Sequence, residues 1–289
     1  MRVLVVGGTR FFGIPMVKKL LENGHDVTIA TRGNKPDTFG GSVKRVKMDK
    51  TDPDSVRSAL CGKSYDAVID KVAYSSNDVR SLLSAAVCGR YIQMSSCAVY
   101  KTAHMGIKEN EFDAKGFELK WLDRPSDYAL GKRLAERAAL EFKDEKSCVF
   151  VRCPVVLGEN DYTGRLAFYA QHICLSTPIH MENPDAKTSY IHEKQAGEFI
   201  ARLVDTDISG AVNACSDGVI SQGEIIGYIQ KICGRSAVLS QDGDTAPFDG
   251  TACDTSYDCT KAKSFGFEAV GLSSWIYDLI GYETDKYRI

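Results

Sequence analysis

The chain has 289 residues, enough for one large α/β domain or for a core domain with a smaller lobe. Its 36 basic and 38 acidic residues leave a net charge of −2 with no basic tract, which argues against nucleic acid or an anionic membrane as partner. No apolar run reaches the roughly 18–20 residues of a membrane span, and the Val-rich start is too short for a signal peptide, so a cytoplasmic protein is expected. None of the ten cysteines falls in a CxxC. Cys88, Cys148, Cys153, Cys174 and Cys233 sit in apolar segments, so the set reads as reduced core thiols.

The chain opens on Val3–Val6, whose continuous apolar character predicts a buried parallel strand. A glycine-bearing turn follows, GGTRFFG, and then a helix over Ile14–Asn23 that tolerates Pro15 in its first turn. Strand, turn and helix N-terminus together make an anion site, because free N–H groups and the helix dipole point at whatever lies there. The expected occupant is a dinucleotide diphosphate held by Gly7, Thr9, Arg10, Phe11, Phe12 and Gly13. Gly7 and Gly13 fit the outer positions of the fingerprint, and Arg10 stands at its centre.

Further strands are predicted at Asp26–Ala30, Val43–Met48, Ala67–Asp70, Tyr91–Met94 and Cys148–Arg152, and another at Gly210–Cys215. Helices over Pro53–Leu60, Ser76–Val87 and Ser126–Lys143 alternate with them. This rhythm demands parallel strands joined by right-handed crossovers, hence a doubly wound Rossmann sheet. From about Val155 the rhythm loosens, through a loop at Asn160–Thr163 and a polar stretch at Ser240–Thr255. The reading is a dinucleotide-binding core of residues 1–154 plus about 187–215. A smaller α/β substrate lobe takes about 155–186 plus 216–289.

The end of the second strand bears on the cofactor. Thr31 stands where an acidic residue would hold a ribose 2′-hydroxyl, and Arg32 and Lys35 follow. An Arg there forms paired, charge-assisted hydrogen bonds with a 2′-phosphate, so NADP is favoured over NAD. Asp49 is placed to accept from the adenine amino group, whereas Asp52 reads as a helix N-cap. Val72, past the fourth strand, completes that end.

Tyr128 and Lys132 are four residues apart on one helix face, where the ammonium is expected to lower the phenol pKa towards proton transfer. The YxxxK spacing alone proves nothing, since it recurs at Tyr190/Lys194, Tyr257/Lys261 and Tyr282/Lys286. Only Tyr128 opens a long amphipathic helix and follows a hydroxyl cluster, Ser95 and Ser96, at a strand end aimed at the site.

With these segments the chain resembles the extended short-chain dehydrogenase/reductase superfamily, in its NAD-dependent epimerase/dehydratase branch. The resemblance rests on VVGGTRFFG, KMDKTD, MSSCAVY, RPSDYALGK, VRCPVVLGEND, SYIH and TKAKSFGF. It implies a nicotinamide cofactor and a catalytic set of Ser96, Tyr128 and Lys132. Ser96 is chosen because the family's hydroxyl lies four residues before the Tyr of the VY pair, here Tyr100. The resemblance also has Lys132 bond the nicotinamide ribose, and the stretch from Pro154 to Leu157 line the nicotinamide amide. It suggests a homodimer through a face that includes the Tyr128 helix.

The turn with Arg for the central glycine is similar to that of a subgroup that includes chloroplast stem-loop RNA-binding proteins. A non-catalytic relative that senses dinucleotide or binds RNA is therefore the alternative from another class. Cys97 and Ala98 replace the Asp-Glu pair of sugar-nucleotide dehydratases, which argues against dehydration. Lys194 and Gln195 stand where an acidic pair is usual, and Thr188 is nearest to the usual substrate-binding Arg. Arg165, His180, Lys187 and His192 are the candidate substitutes, each also readable as an ordinary surface residue. The leading expectation is an NAD(P)-dependent epimerase or oxidoreductase acting on a nucleotide sugar. The alternative enzyme is an NADPH-dependent ketone or aldehyde reductase with a non-nucleotide substrate. No metal is expected.

Overall fold

The N-terminal apolar run forms β1 (Arg2–Val6), and its alternate residues feed two different cores. Val3 and Val5 face one cluster, while Leu4 and Val6 face the other. A strand buried on both sides needs helices on both sides, which is why its sequence is apolar without alternation. A computed structural model describes residues 1–248 and 253–288. The polar stretch read at Ser240–Thr255 therefore lies partly outside the described residues.

β1 is flanked by β2 (Asp26–Thr31) and β4 (Ser64–Asp70), with β3 (Lys44–Lys47) beyond β2. On the other side follow β5 (Val87–Met94), β6 (Cys148–Arg152) and, later in the chain, β11 (Gly210–Asn213). Among the described residues these seven strands form one sheet in the order β3-β2-β1-β4-β5-β6-β11, parallel throughout. Its winding reverses between β1 and β4, and a doubly wound sheet opens its ligand crevice beyond the strand ends at that point.

Four helices occupy the crossovers: α1 (Gly13–Glu22), α2 (Pro53–Leu60), α3 (Ser76–Ala85) and α4 (Tyr128–Ala139). Three have side-chain caps: Asp52 accepts from Asp54 N–H, Ser75 from Asp78 N–H and Asp127 from Leu130 N–H. Asp52 thus takes the capping role expected of it.

After β6 the chain leaves the sheet for β7 (Val155–Leu157), α5 (Arg165–Leu175), β8 (Pro178–His180), β9 (Lys187–Thr188) and β10 (Tyr190–His192). It returns through α6 (Glu193–Arg202), which packs on α1, and then enters β11. A separate apolar cluster joins α5 and β10 to α7 (Gln222–Cys233) and α9 (Ile276–Asp285). One part of the C-terminal third departs from the expected division. Around α8 (Thr260–Ser264), Cys259, Ala262 and Phe267 join the β1-side core rather than the lobe. The cause is local: Lys261 Nζ donates to the carbonyls of Ser209 (2.7 Å) and Ala211 (2.6 Å), which pins α8 to β11.

Candidate active site

Two cavities open side by side beyond the carboxyl ends of the sheet, of about 500 and 240 Å³. Gly7, Thr9, Arg10, Arg32, Asp49 and Val72 line the smaller. Phe11, Phe12, Ser96, Tyr128, Lys132 and Pro154 line the larger. Of the catalytic and cofactor residues expected from the sequence, Gly13, Lys35 and Leu157 line neither cavity, and the others border one of the two. Gly13 lies beneath the turn, where a Cβ would come within 2.8 Å of the Gly8 carbonyl oxygen; its role is close packing of helix start on turn.

At the smaller cavity, Asp49 accepts from the N–H and hydroxyl of Thr51, at 2.9 and 2.7 Å. Those bonds hold its carboxyl below the usual range, with Arg32 and Arg124 adding attraction. Thr31 accepts from Gly33 N–H, so it shapes the bend that leaves Arg32 on the rim. Arg10 is not free over the cavity: its guanidinium lies 3.5 Å from the ring centre of Tyr162, a residue of the 158–164 loop.

At the larger cavity, Ser96 leaves β5 as the cap of a short turn and accepts from Ala98 N–H at 3.1 Å. Its neighbour Ser95 is held differently. The Ser95 hydroxyl donates to Glu136, which is also paired with Arg152 at 2.7 Å, all fully buried. Ser95 is therefore committed to the core, and Ser96 keeps its proton for the cleft.

α4 reaches this site by an unusually close approach. A Cβ on Gly131 would lie 2.4 Å from the Tyr74 carbonyl oxygen, so only glycine allows the helix so near the chain after β4. That approach buries Lys132 completely, and its Nζ donates to the carbonyls of Ala73 and Met94, each at 2.8 Å. Burial pulls the Lys132 ammonium down to about 7, although Asp70 favours its charge.

The expectation that Lys132 lowers the Tyr128 phenol is overturned. The phenol is pushed up to about 12, chiefly by burial, and a hydrogen bond with Ser96 only partly offsets this. The ring remains half exposed to the cleft, so it is the hydroxyl end that lies deep. Lys132 Nζ is 5.6 Å from the Tyr128 ring centre, with two of its protons donated to backbone carbonyls. Desolvation outweighs the cation here.

Several cleft residues escaped the sequence reading. Lys71, at the end of β4, and Tyr74 line both cavities, as does Tyr162. Tyr257 lies in the wall of the larger cavity, its ring stacked on Tyr100 at 6.0 Å, although its own YxxxK pair was set aside. Its partner by spacing, Lys261, points to β11 instead. Lys71 did leave a signal: a cation in the apolar run VIDKVA, where a solvated lysine has no place. Of the four candidate substrate cations, Arg165 alone borders the larger cavity. Among the described residues, the groups of His, Cys, Asp and Glu include none able to hold a metal ion, and no helix is long and apolar enough to cross a membrane.

A parallel sheet wound both ways about a glycine turn, with a cleft at its switch point, defines a doubly wound, Rossmann-like α/β fold. The model of the NAD dependent epimerase/dehydratase family matches residues 3–86.

A chloroplast stem-loop binding protein of 41 kDa from Arabidopsis thaliana is 32% identical over 113 residues, 34% of this chain and 30% of that protein. The 2′-dehydrokanamycin reductase of Streptomyces kanamyceticus is 33% identical over 216 residues, 72% of this chain and 59% of that enzyme. The chain thus spans less than two thirds of either relative. UDP-glucuronic acid 4-epimerase from Bacillus cereus, solved in complex with NAD, has the same fold: TM-score 0.71 at 17% identity, over 99% of this chain and 98% of that one.

Proposed function

We propose that the protein is an NAD(P)-dependent oxidoreductase that transfers hydride at a hydroxyl-bearing carbon, with Tyr128 as acid/base. The observation that carries this reading is the meeting of Ser96, Tyr128 and Lys132 at one end of a cleft whose other end is lined by Arg32 and Asp49. The two cavities share lining residues, with the glycine turn beneath them and cations facing in, so the residues fit a dinucleotide. Gly7, Thr9, Arg10, Phe11 and Phe12 would cradle the diphosphate, Asp49 the adenine, and Lys132 and Pro154 the nicotinamide end. Arg32 on the rim, with Thr31 in place of a carboxylate, supports NADP over NAD.

The bound nicotinamide supplies or accepts the hydride. Tyr128, held at about 12, keeps its proton at neutral pH and so stands ready to donate it to a substrate carbonyl oxygen. Ser96 bonds the same oxygen while its own lone pair is occupied by Ala98 N–H. As the phenol gives up its proton, charge develops on its oxygen beside Ser96 and the Lys132 ammonium, which stabilise it without reorganising. The reverse transfer oxidises an alcohol, with Tyr128 taking the hydroxyl proton. Cys97 and Ala98 offer no carboxylate for elimination, so dehydration is not part of the reading.

The substrate proposed first is a nucleotide sugar, supported by the named substrate of the epimerase with the same fold. A second reading, reduction of a ketone that lacks a diphosphate, is favoured by the lobe-side wall. That wall presents Tyr162, Thr188, Ser189, Phe248 and Tyr257, and its one lining cation among the described residues, Arg165, is tied to Asp161 (3.3 Å) and Thr163 (2.6 Å). The likeness to a reductase supports this reading too.

The test is to incubate the purified protein with NAD(P) and UDP-glucose or UDP-glucuronic acid, and separately with NADPH and hydroxylated ketones. Sugar epimers with no net cofactor turnover would establish the first reading. Stoichiometric NADPH consumption with ketones alone would establish the second. Dinucleotide binding with turnover of neither class, and steeply salt-sensitive binding of structured RNA, would sink both and favour the non-catalytic relative.

A further inference from the structure

The two cavities share three lining residues, Lys71, Tyr74 and Tyr162, and Lys71 is the cation among them. We propose that Lys71 is a diphosphate-binding residue: its ammonium stands at the junction of the cavities and neutralises the phosphates that link the two halves of a dinucleotide. This deepens the reading above and rests on it.

The smaller cavity carries the adenosine-side groups, Arg32 and Asp49, and the larger carries Ser96, Tyr128 and Pro154. A dinucleotide laid across both must put its diphosphate where they meet. Lys71 is only 9% exposed, yet among the described residues no carboxylate pairs with it. The nearby acid, Asp70, is already taken by Lys50 and by the Tyr91 hydroxyl. The Lys71 ammonium instead lies 4.3 Å from the ring centre of Phe12, at the mouth of α1. From the turn, Arg10 faces it with a like charge.

A buried cation without an anion is costly unless a ligand brings one. The cost shows in its titration: burial, with repulsion from Arg10, pulls Lys71 down to about 8. A bound diphosphate reverses this by favouring the charged form. The helix N-terminus and glycine turn alone would serve any anion; Lys71 adds a full charge at the one place both cavities reach.

The experiment is calorimetric titration of wild type, K71M and K71R with NAD and NADP, at pH 6.5 to 9.5. Loss of one charge-assisted contact should weaken K71M at pH 7 about tenfold or more for both dinucleotides, leaving their affinity ratio unchanged. K71R should retain affinity. Wild-type affinity should decline as pH rises above 8, and K71R should stay level over that range. Melting curves without ligand check the fold: K71M removes an unpaired buried charge, so its Tm should equal or exceed that of wild type.

Weakening confined to NADP would overturn the proposal by assigning Lys71 to the 2′-phosphate. Unchanged binding of both dinucleotides by K71M would overturn it outright. Failure of the wild-type protein to bind either dinucleotide would overturn both this proposal and the functional reading beneath it.

Discussion

The two walls of the larger cavity are built on opposite plans. On the sheet side, three polar groups have fixed partners before any ligand arrives: Lys132 on two carbonyls, Ser96 on Ala98 N–H, Ser95 on Glu136. Beneath them Arg152 ties Glu136 to Tyr100 and to the carbonyls of Glu109 and Phe112. On the lobe side, Tyr162 is 55% exposed and Arg165 is held, among the described residues, by its own loop. On the proposed function the contrast separates two jobs: the sheet wall holds the reacting groups in place, and the lobe wall is left free to choose what reacts.

That contrast predicts a gradient of mutational effects. Tyr128→Phe deletes the proton donor from the rigid wall and should lower kcat by about 10²–10⁴, while calorimetry shows dinucleotide affinity within twofold of wild type. Retained turnover would break the assignment of the sheet wall as the reacting one. Gly131→Ala drives a Cβ against the Tyr74 carbonyl, so it should cost about 1–3 kcal/mol in denaturant melts and depress activity by displacing Lys132. A neutral outcome would mean that α4 is not held where the site requires it. Arg165→Ala, on the lobe side, should raise KM by up to about fivefold and leave kcat and Tm nearly unchanged, as for a partly exposed charge held by its own loop. A collapse of kcat instead would erase the distinction between the walls.

The sheet wall was also the legible one. Parallel strands buried on both faces are rich in apolar residues, as in the run of Val and Leu in β1, so β1, β2, β4, β5 and β6 could be read, and with them the strand end that carries Ser96. Tyr128 and Lys132 were readable from context, a capped helix following that strand end. Their protonation was not. Spacing reports that an ammonium is near a phenol; it carries no information on how much water each loses, and desolvation decided the sign.

Glu136 and Arg152 were hidden for a related reason. A Glu on an amphipathic helix reads as solvated, and only the fold brings Arg152 from the next strand to cancel it in the core. Tyr162 and Tyr257 come from irregular segments with no periodicity to place them. The lobe boundary failed at α8 because nothing in TKAKS reveals that Lys261 will reach back to β11.

α6 packs on α1 more tightly than any side chain would permit: a Cβ at Gly197 would fall 2.4 Å from the Phe12 carbonyl oxygen and 2.8 Å from the Met16 amide nitrogen. The first turn of the chain is thus clamped by a segment nearly two hundred residues later. In the order in which a ribosome releases the chain, the glycine turn emerges early and waits unsupported until α6 follows. A contact of such long sequence separation closes late and slows folding. Residues 3–86, which carry the family match, therefore make the strand and the turn but not the finished anion site.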